Sequence, residues 1–140
     1  MQALVLCDDY WHPARVARAG LGALANQGFA FDWIENADEW SAERMAGYPV
    51  VVLAKSNNIS AADQTGWVTE GVQQAFLDYV RQGGGLFVIH SGTAGYREMP
   101  VLRGLMGGVF VKLPHQHPHT EEPPQAKPLT ATSSAYTRLG

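Results

Sequence analysis

The chain has 140 residues, 46% of them hydrophobic and 16% charged, so it holds enough apolar material for one domain with a buried core. Ten Lys and Arg against thirteen Asp and Glu leave a net charge of −3, which argues against a general nucleic-acid binder, since that needs a basic stripe to displace counterions. The one cysteine, Cys7, excludes an internal disulfide framework and any multi-cysteine metal site, and fits a reducing compartment.

Ala3-Leu4-Val5-Leu6-Cys7 is a continuous apolar run, the pattern of a strand buried on both faces. Asp8-Asp9-Tyr10-Trp11-His12 follows as a polar and aromatic loop. Pro13 suits the first turn of a helix, and Val16, Gly20, Ala23, Leu24 and Gln27 recur at helical spacing up to a stop at Gly28. Phe29 to Ile34 reads as a second strand, Asp38 is placed to cap a short helix through Met45, and Pro49 to Ala54 is a third strand. Lys55 to Gly66 is polar and turn-rich. The spacing of Val68, Val72, Ala75, Phe76, Tyr79 and Val80 then predicts an amphipathic helix opening at Trp67 and ending at Gly83-Gly84-Gly85. Leu86 to Ile89 is the fourth strand, Met99 to Met106 a short helix, and Val109-Phe110-Val111 a fifth apolar stretch.

Strands apolar on both faces, alternating with helices, specify a parallel sheet covered by helices. The expected architecture is a flavodoxin-like three-layer α/β sandwich with a mostly parallel sheet over residues 1–113. From Pro114 the composition changes. The last 27 residues hold five of the eight prolines and three of the five histidines, which predicts an extended or disordered tail over 114–140. The longest apolar runs are far short of the roughly 20 residues of a bilayer span, and Met1-Gln2 carries no basic side chain. A cytoplasmic protein without a membrane partner is expected.

In such sheets ligands collect at the carboxyl ends of the strands, which points to the loops at Asp8–His12, Lys55–Asn58 and His90–Tyr96. Ile89-His90-Ser91-Gly92 has the form of a nucleophile elbow with histidine at its apex. Ser91 with His90 as base would make a serine hydrolase, although neighbouring residues diverge in so tight a turn. His12 and His90 follow strands expected to be neighbours, so they converge as acid/base groups or metal ligands; two loop histidines bonded to backbone is an equal reading. His115, His117 and His119 alternate, which suits either a zinc ligand set or a solvated His-rich tail. Cys7 reads as a small buried hydrophobe. The glycines at 83–85 lie between helix and strand, the reverse of a phosphate loop. Trp11 beside polar groups makes a platform for the C–H face of a sugar.

Tyr79-Val80-Arg81-Gln82-Gly83-Gly84-Gly85, Leu86-Phe87-Val88-Ile89-His90-Ser91-Gly92 and Leu102 to Phe110, followed by His115 and His117-Pro118-His119-Thr120, resemble the ThuA-like (trehalose utilisation) family. That family is a branch of the class I glutamine amidotransferase-like fold, and the resemblance covers residues 1 to about 120. It implies a carbohydrate-utilisation protein that binds or transforms a sugar, a trehalose-type disaccharide or a derivative, in a histidine-lined cleft. Because His90 stands where the amidotransferases carry cysteine, glutaminase activity is not expected. The resemblance also implies histidines gathered in the cleft: His12, His90 and His115 as ligands of a divalent metal such as zinc. On this reading His90 and His12 are catalytic, and Asp9, Tyr10, Trp11, Ser91 and Tyr96 shape the sugar pocket. The family pattern continues with further strands where this sequence runs into Glu121-Glu122-Pro123-Pro124, so the resemblance implies a chain shortened at its C-terminus, with a sheet edge open to homo-oligomer formation. The alternative is a non-catalytic amidotransferase-like subunit or interaction module.

Overall fold

Four of the apolar runs become strands of a single parallel sheet in the computed structural model, which describes residues 1–110. β1 (Gln2–Leu6), β2 (Ala30–Ile34), β3 (Val50–Leu53) and β4 (Gly85–Val88) lie in the order β2-β1-β3-β4. In register, Val5 of β1 faces Trp33 of β2 and Val52 of β3, and Val52 faces Phe87 of β4. The chain adds β2 on one side of β1, then crosses to the other side for β3 and β4. Right-handed crossovers therefore send the first helix to one face of the sheet and the later helices to the other. The result is a flavodoxin-like α/β sandwich.

Side chains sort accordingly. Leu4, Leu6, Ile34, Val51 and Leu53 pack with Met45, Phe76, Tyr79, Tyr96 and Leu102 on the face carrying α2 (Ala42–Ala46), α3 (Glu70–Arg81) and α4 (Pro100–Met106). Ala3, Val5, Cys7, Val52 and Ala54 pack on the other face against α1 (Ala14–Gly22) through Ala14, Ala17 and Leu21. Because a strand alternates its faces residue by residue, a fully apolar run serves both layers at once.

Helix ends depart from the pattern in instructive ways. α1 stops at Gly22, and a separate 3₁₀ turn (Ala25–Gln27) carries the chain to Gly28, whose φ of 84° closes it. Asp38 lies inside a 3₁₀ turn (Ala37–Glu39) capped by Asn36, while Ser41 caps α2 by accepting from the Arg44 N–H. The helix expected from Trp67 begins three residues later. The Asn57 side chain accepts from the N–H groups of both Trp67 and Val68 at 3.1 Å, holding them extended and buried, and Thr69 then caps α3. After α4, Gly107 takes a φ of 72°, and Phe110 makes a parallel bridge with Ala94 beyond the end of β4. Val111 and the expected boundary at 113/114 lie outside the described residues. Among the described residues no helix is long and apolar enough to cross a membrane.

Candidate functional site

The strand order reverses between β1 and β3, and their carboxyl ends open the crevice in which parallel α/β sheets place ligands. Immediately after β1, Asp8 turns the chain with a φ of 70° and accepts the Ala14 N–H at 2.8 Å, so one carboxylate anchors the start of α1. Asp9 then points inward and is 1% exposed. Its Oδ1 accepts from the Trp11 and His12 N–H groups, both at 2.9 Å, which folds residues 9–12 into a tight hook. Its Oδ2 accepts from the Ser56 N–H at 3.0 Å, so the same carboxylate ties the loop after β1 to the loop after β3.

At the end of β4 the chain turns through a 3₁₀ segment (His90–Thr93) with His90 at its apex. His90 has a φ of 47°, a left-handed conformation that a non-glycine residue adopts only when its surroundings enforce it. The enforcement is visible. A Cβ on Gly92 would collide with the Leu53 carbonyl oxygen, so only glycine lets the turn press this closely on β3. The sharp turn lifts the His90 imidazole above the strand ends, which is the elbow geometry with an imidazole in place of a nucleophile.

The two imidazoles meet. His90 Nε2 lies 3.0 Å from His12 Nε2, with the ring planes nearly perpendicular and centroids 4.6 Å apart. His12 Nδ1 lies 2.8 Å from Asp9 Oδ1. With Asp9 accepting from Nδ1–H, a neutral His12 carries its lone pair on Nε2; His90 then donates its Nε2–H, and His90 Nδ1 keeps a lone pair. A buried carboxylate, an oriented imidazole and a partly exposed imidazole thus form one continuous chain. Burial acts to raise the Asp9 carboxyl, but the Ser56 N–H and the His12 side chain favour the ionised form, and its pKa lies below the ordinary carboxylate value. At neutral pH the site therefore has a negative charge at its base.

The remaining expected site residues divide. Tyr10 (52% exposed) and Trp11 (73% exposed) stand on the same hook as His12, ring centroids 4.7 Å apart, with aromatic surface facing solvent. Tyr96 does not shape a pocket: it is fully buried and donates its hydroxyl to the Lys55 carbonyl at 2.9 Å. Ser91 is held by the backbone beside the histidines. It is 4% exposed and donates Oγ–H to the Ala54 carbonyl at 3.0 Å, so its proton is committed to the backbone rather than to His90 as a nucleophile's would be. Asp9, expected to hold sugar hydroxyls, has both oxygens occupied by the protein itself. His115, His117 and His119 lie outside the described residues. Among the described residues no three His, Cys, Asp or Glu side chains are grouped to hold a metal. Cys7 is buried behind the sheet, where desolvation pushes its thiol up to about 11.

Two supporting groups lie in the Lys55–Asn58 loop that the sequence marks, although no local pattern gives their roles. The backbone N–H of Ser56 grips Asp9, and fully buried Lys55 donates Nζ–H to the Ile59 and Glu35 carbonyls at 2.8 and 3.2 Å. Lys55 thereby clamps the loop after β3 to the end of β2. Its pKa lies below the ordinary lysine value because burial disfavours the charge. A large cavity of about 490 Å³ lies at the opposite end of the sheet, near Pro49 and Gly84, away from the histidines. A smaller one of about 220 Å³ adjoins them.

Compared with known proteins, the sequence matches the family model ThuA, described as trehalose utilisation, over residues 3–138. No curated protein and no solved structure matches it.

Proposed function

The chain belongs to the ThuA (trehalose utilisation) family, and from that premise we propose that it binds, and acts on, a sugar or sugar derivative at the carboxyl ends of β1 and β4. The observation that carries this reading is the 3.0 Å approach of His12 and His90 above a buried carboxylate. Residues 78 apart in the chain are brought ring to ring at the point where such sheets bind ligands. The imidazoles bond to each other and to Asp9 rather than to backbone, which supports this reading.

The chemistry follows from the hydrogen bonds. His90 Nδ1, with its lone pair, takes a proton from a substrate hydroxyl. The Nε2–H of His90 then moves toward His12 Nε2, and the Asp9 carboxylate stabilises the resulting imidazolium. In reverse the pair delivers a proton to a leaving oxygen. Trp11 and Tyr10 offer the apolar C–H face of a sugar ring an aromatic surface beside the imidazoles. Glutaminase chemistry has no place in this scheme, since an imidazole stands at the elbow.

The same two nitrogens suit a divalent metal such as zinc. Two ligands of one tetrahedral zinc, each bonded at about 2.0–2.1 Å, lie roughly 3.3 Å apart, close to the His12–His90 separation. A carboxylate on the far nitrogen of a ligating histidine is the usual orienting partner, and Asp9 holds that position. His12 and His90 would supply two ligands, with His115 as the proposed third. Such a metal, when bound, would polarise a substrate oxygen as a Lewis acid.

Metal analysis of the purified protein, with disaccharide binding followed by thermal shift, tests both forms of the proposal on wild type, His12→Ala and His90→Ala. Loss of sugar binding in both variants supports it. Unchanged metal content and unchanged sugar binding in both variants contradicts it.

A further inference from the structure

The cavity of about 220 Å³ beside the histidine pair differs in chemistry from a sugar site. One wall is α1, through Val16, Gly20 and Leu21, and the floor is Ala54 and Ile89, with His12 and His90 at the end nearest the strand tips. Ser91, the other polar side chain on this lining, is already paired with the Ala54 carbonyl. Among the side chains of this lining, the hydrogen-bonding capacity left over is acceptor capacity alone, at His90 Nδ1 and at the Ser91 hydroxyl oxygen. Val16 is exposed, so apolar surface on α1 stands open to whatever enters.

We propose that this cavity is an apolar subsite of the histidine site, and that the ligand is a glycoside carrying an alkyl or aryl group rather than a free disaccharide. The proposal rests on the sugar reading of the site and refines it. A pyranose ring placed between Val16 and Ile89 would remove several hydroxyls from water and return no partners, which opposes binding. A phenyl or short alkyl group gains there from burial, and about 150 Å³ is enough to hold benzene in a protein interior. The glycosidic oxygen would then lie at the imidazoles, the apolar group along α1, and the sugar ring on the solvent side beside Trp11. A disaccharide such as trehalose would have to seat its second ring in the same apolar groove.

Gly20 supplies the test. A Cβ at this position meets nothing within 4 Å, and leucine is a better helix former than glycine, so Gly20→Leu fills the groove without opposing the fold. Dissociation constants of methyl glucoside, phenyl glucoside, trehalose and benzyl alcohol are measured by ligand-observed NMR on wild type and on Gly20→Leu. Wild type is expected to bind phenyl glucoside at least about tenfold more tightly than methyl glucoside or trehalose, a difference of about 1.4 kcal/mol. Gly20→Leu is expected to erase that advantage while leaving methyl glucoside unchanged. Equal affinity for the glucosides in wild type, or an advantage that survives Gly20→Leu, overturns the subsite. If no sugar binds but benzyl alcohol does, and Gly20→Leu abolishes it, the apolar subsite stands and the sugar reading falls. Light scattering that shows a dimer dispersed by Gly20→Leu would assign the groove to a second copy of the chain and overturn the proposal.

Discussion

Replacing Asp9 by asparagine probes the group on which the site is built. The carboxylate takes four hydrogen bonds: from the Trp11 N–H, the His12 N–H and His12 Nδ1 at Oδ1, and from the Ser56 N–H at Oδ2. Asparagine keeps one acceptor oxygen and turns an NH₂ toward the other set of donors. In its better orientation the oxygen stays on the hook, and the Ser56 N–H faces another donor. Losing that bond to a charged acceptor costs about 1.5–3 kcal/mol, and the three remaining bonds weaken when the charge is removed. Discounted for the partial exposure of the hook, the total is about 3 kcal/mol, or a fall in Tm of roughly 10 °C at this chain length. Urea and thermal unfolding measure the loss, and hydrogen exchange at the Ser56 amide locates it. The acid limb provides a second reading. A carboxyl whose folded pKa is depressed contributes stability above its unfolded value near 3.9 and loses it as pH falls through the lower folded value. Wild type should therefore lose stability below about pH 4 more steeply than Asp9→Asn. A change under about 1 kcal/mol with unaltered Ser56 exchange would refute the assignment of Asp9 as the anchor.

Three further outcomes follow from the same geometry. Ser91→Ala removes only a hydrogen bond to the Ala54 carbonyl, so stability should fall by about 1 kcal/mol with ligand binding intact, and the wild type should take no label from a fluorophosphonate probe. The buried Cys7 thiol, with its pKa raised to about 11 from 9.0, contributes stability that is complete below pH 9 and is lost as pH rises through 11. About 1.4 kcal/mol should be gone by pH 10 in chemical denaturation, and Cys7→Ala should flatten that limb. Gly92→Ala puts a methyl group into the Leu53 carbonyl, so the elbow must shift. A loss of at least about 2 kcal/mol and displaced His90 ring signals in NMR are expected; an unshifted His90 spectrum would mean that Gly92 does not enforce the turn.

Much of the architecture was legible because it is written in local terms. Apolar runs such as Ala3–Cys7 and Val50–Ala54 announce strands buried on both faces, and the glycines at 28, 83 and 107, all with positive φ, mark where helices or turns stop. The elbow, too, was readable, since His90 and Gly92 sit at the two positions that such a turn constrains. What escaped depends on contacts between distant residues. Nothing near Trp67 reveals that the Asn57 side chain, ten residues earlier, occupies its N–H. Tyr96 stands in a polar glycine-bounded loop and reads as exposed, yet its hydroxyl finds the Lys55 carbonyl 41 residues away. Asp9 reads as a ligand contact because its partner at Ser56 is set by the pairing of β1 with β3, which no local pattern encodes. The convergence of His12 and His90 was expected from their strands being neighbours, but β3 separates β1 from β4, and the two rings meet through the loops that follow those strands. Their contact through Nε2, with Asp9 behind, required the tertiary fold.

The proposed chemistry requires His12 and His90 to act as one unit. A double-mutant cycle of His12→Ala, His90→Ala and the double variant, read as the dissociation constant for a bound glycoside, tests this most directly. Each single variant should weaken binding by at least about tenfold, and the double variant should be no worse than either alone. Strictly additive losses, or none, would mean that the two rings touch without working together.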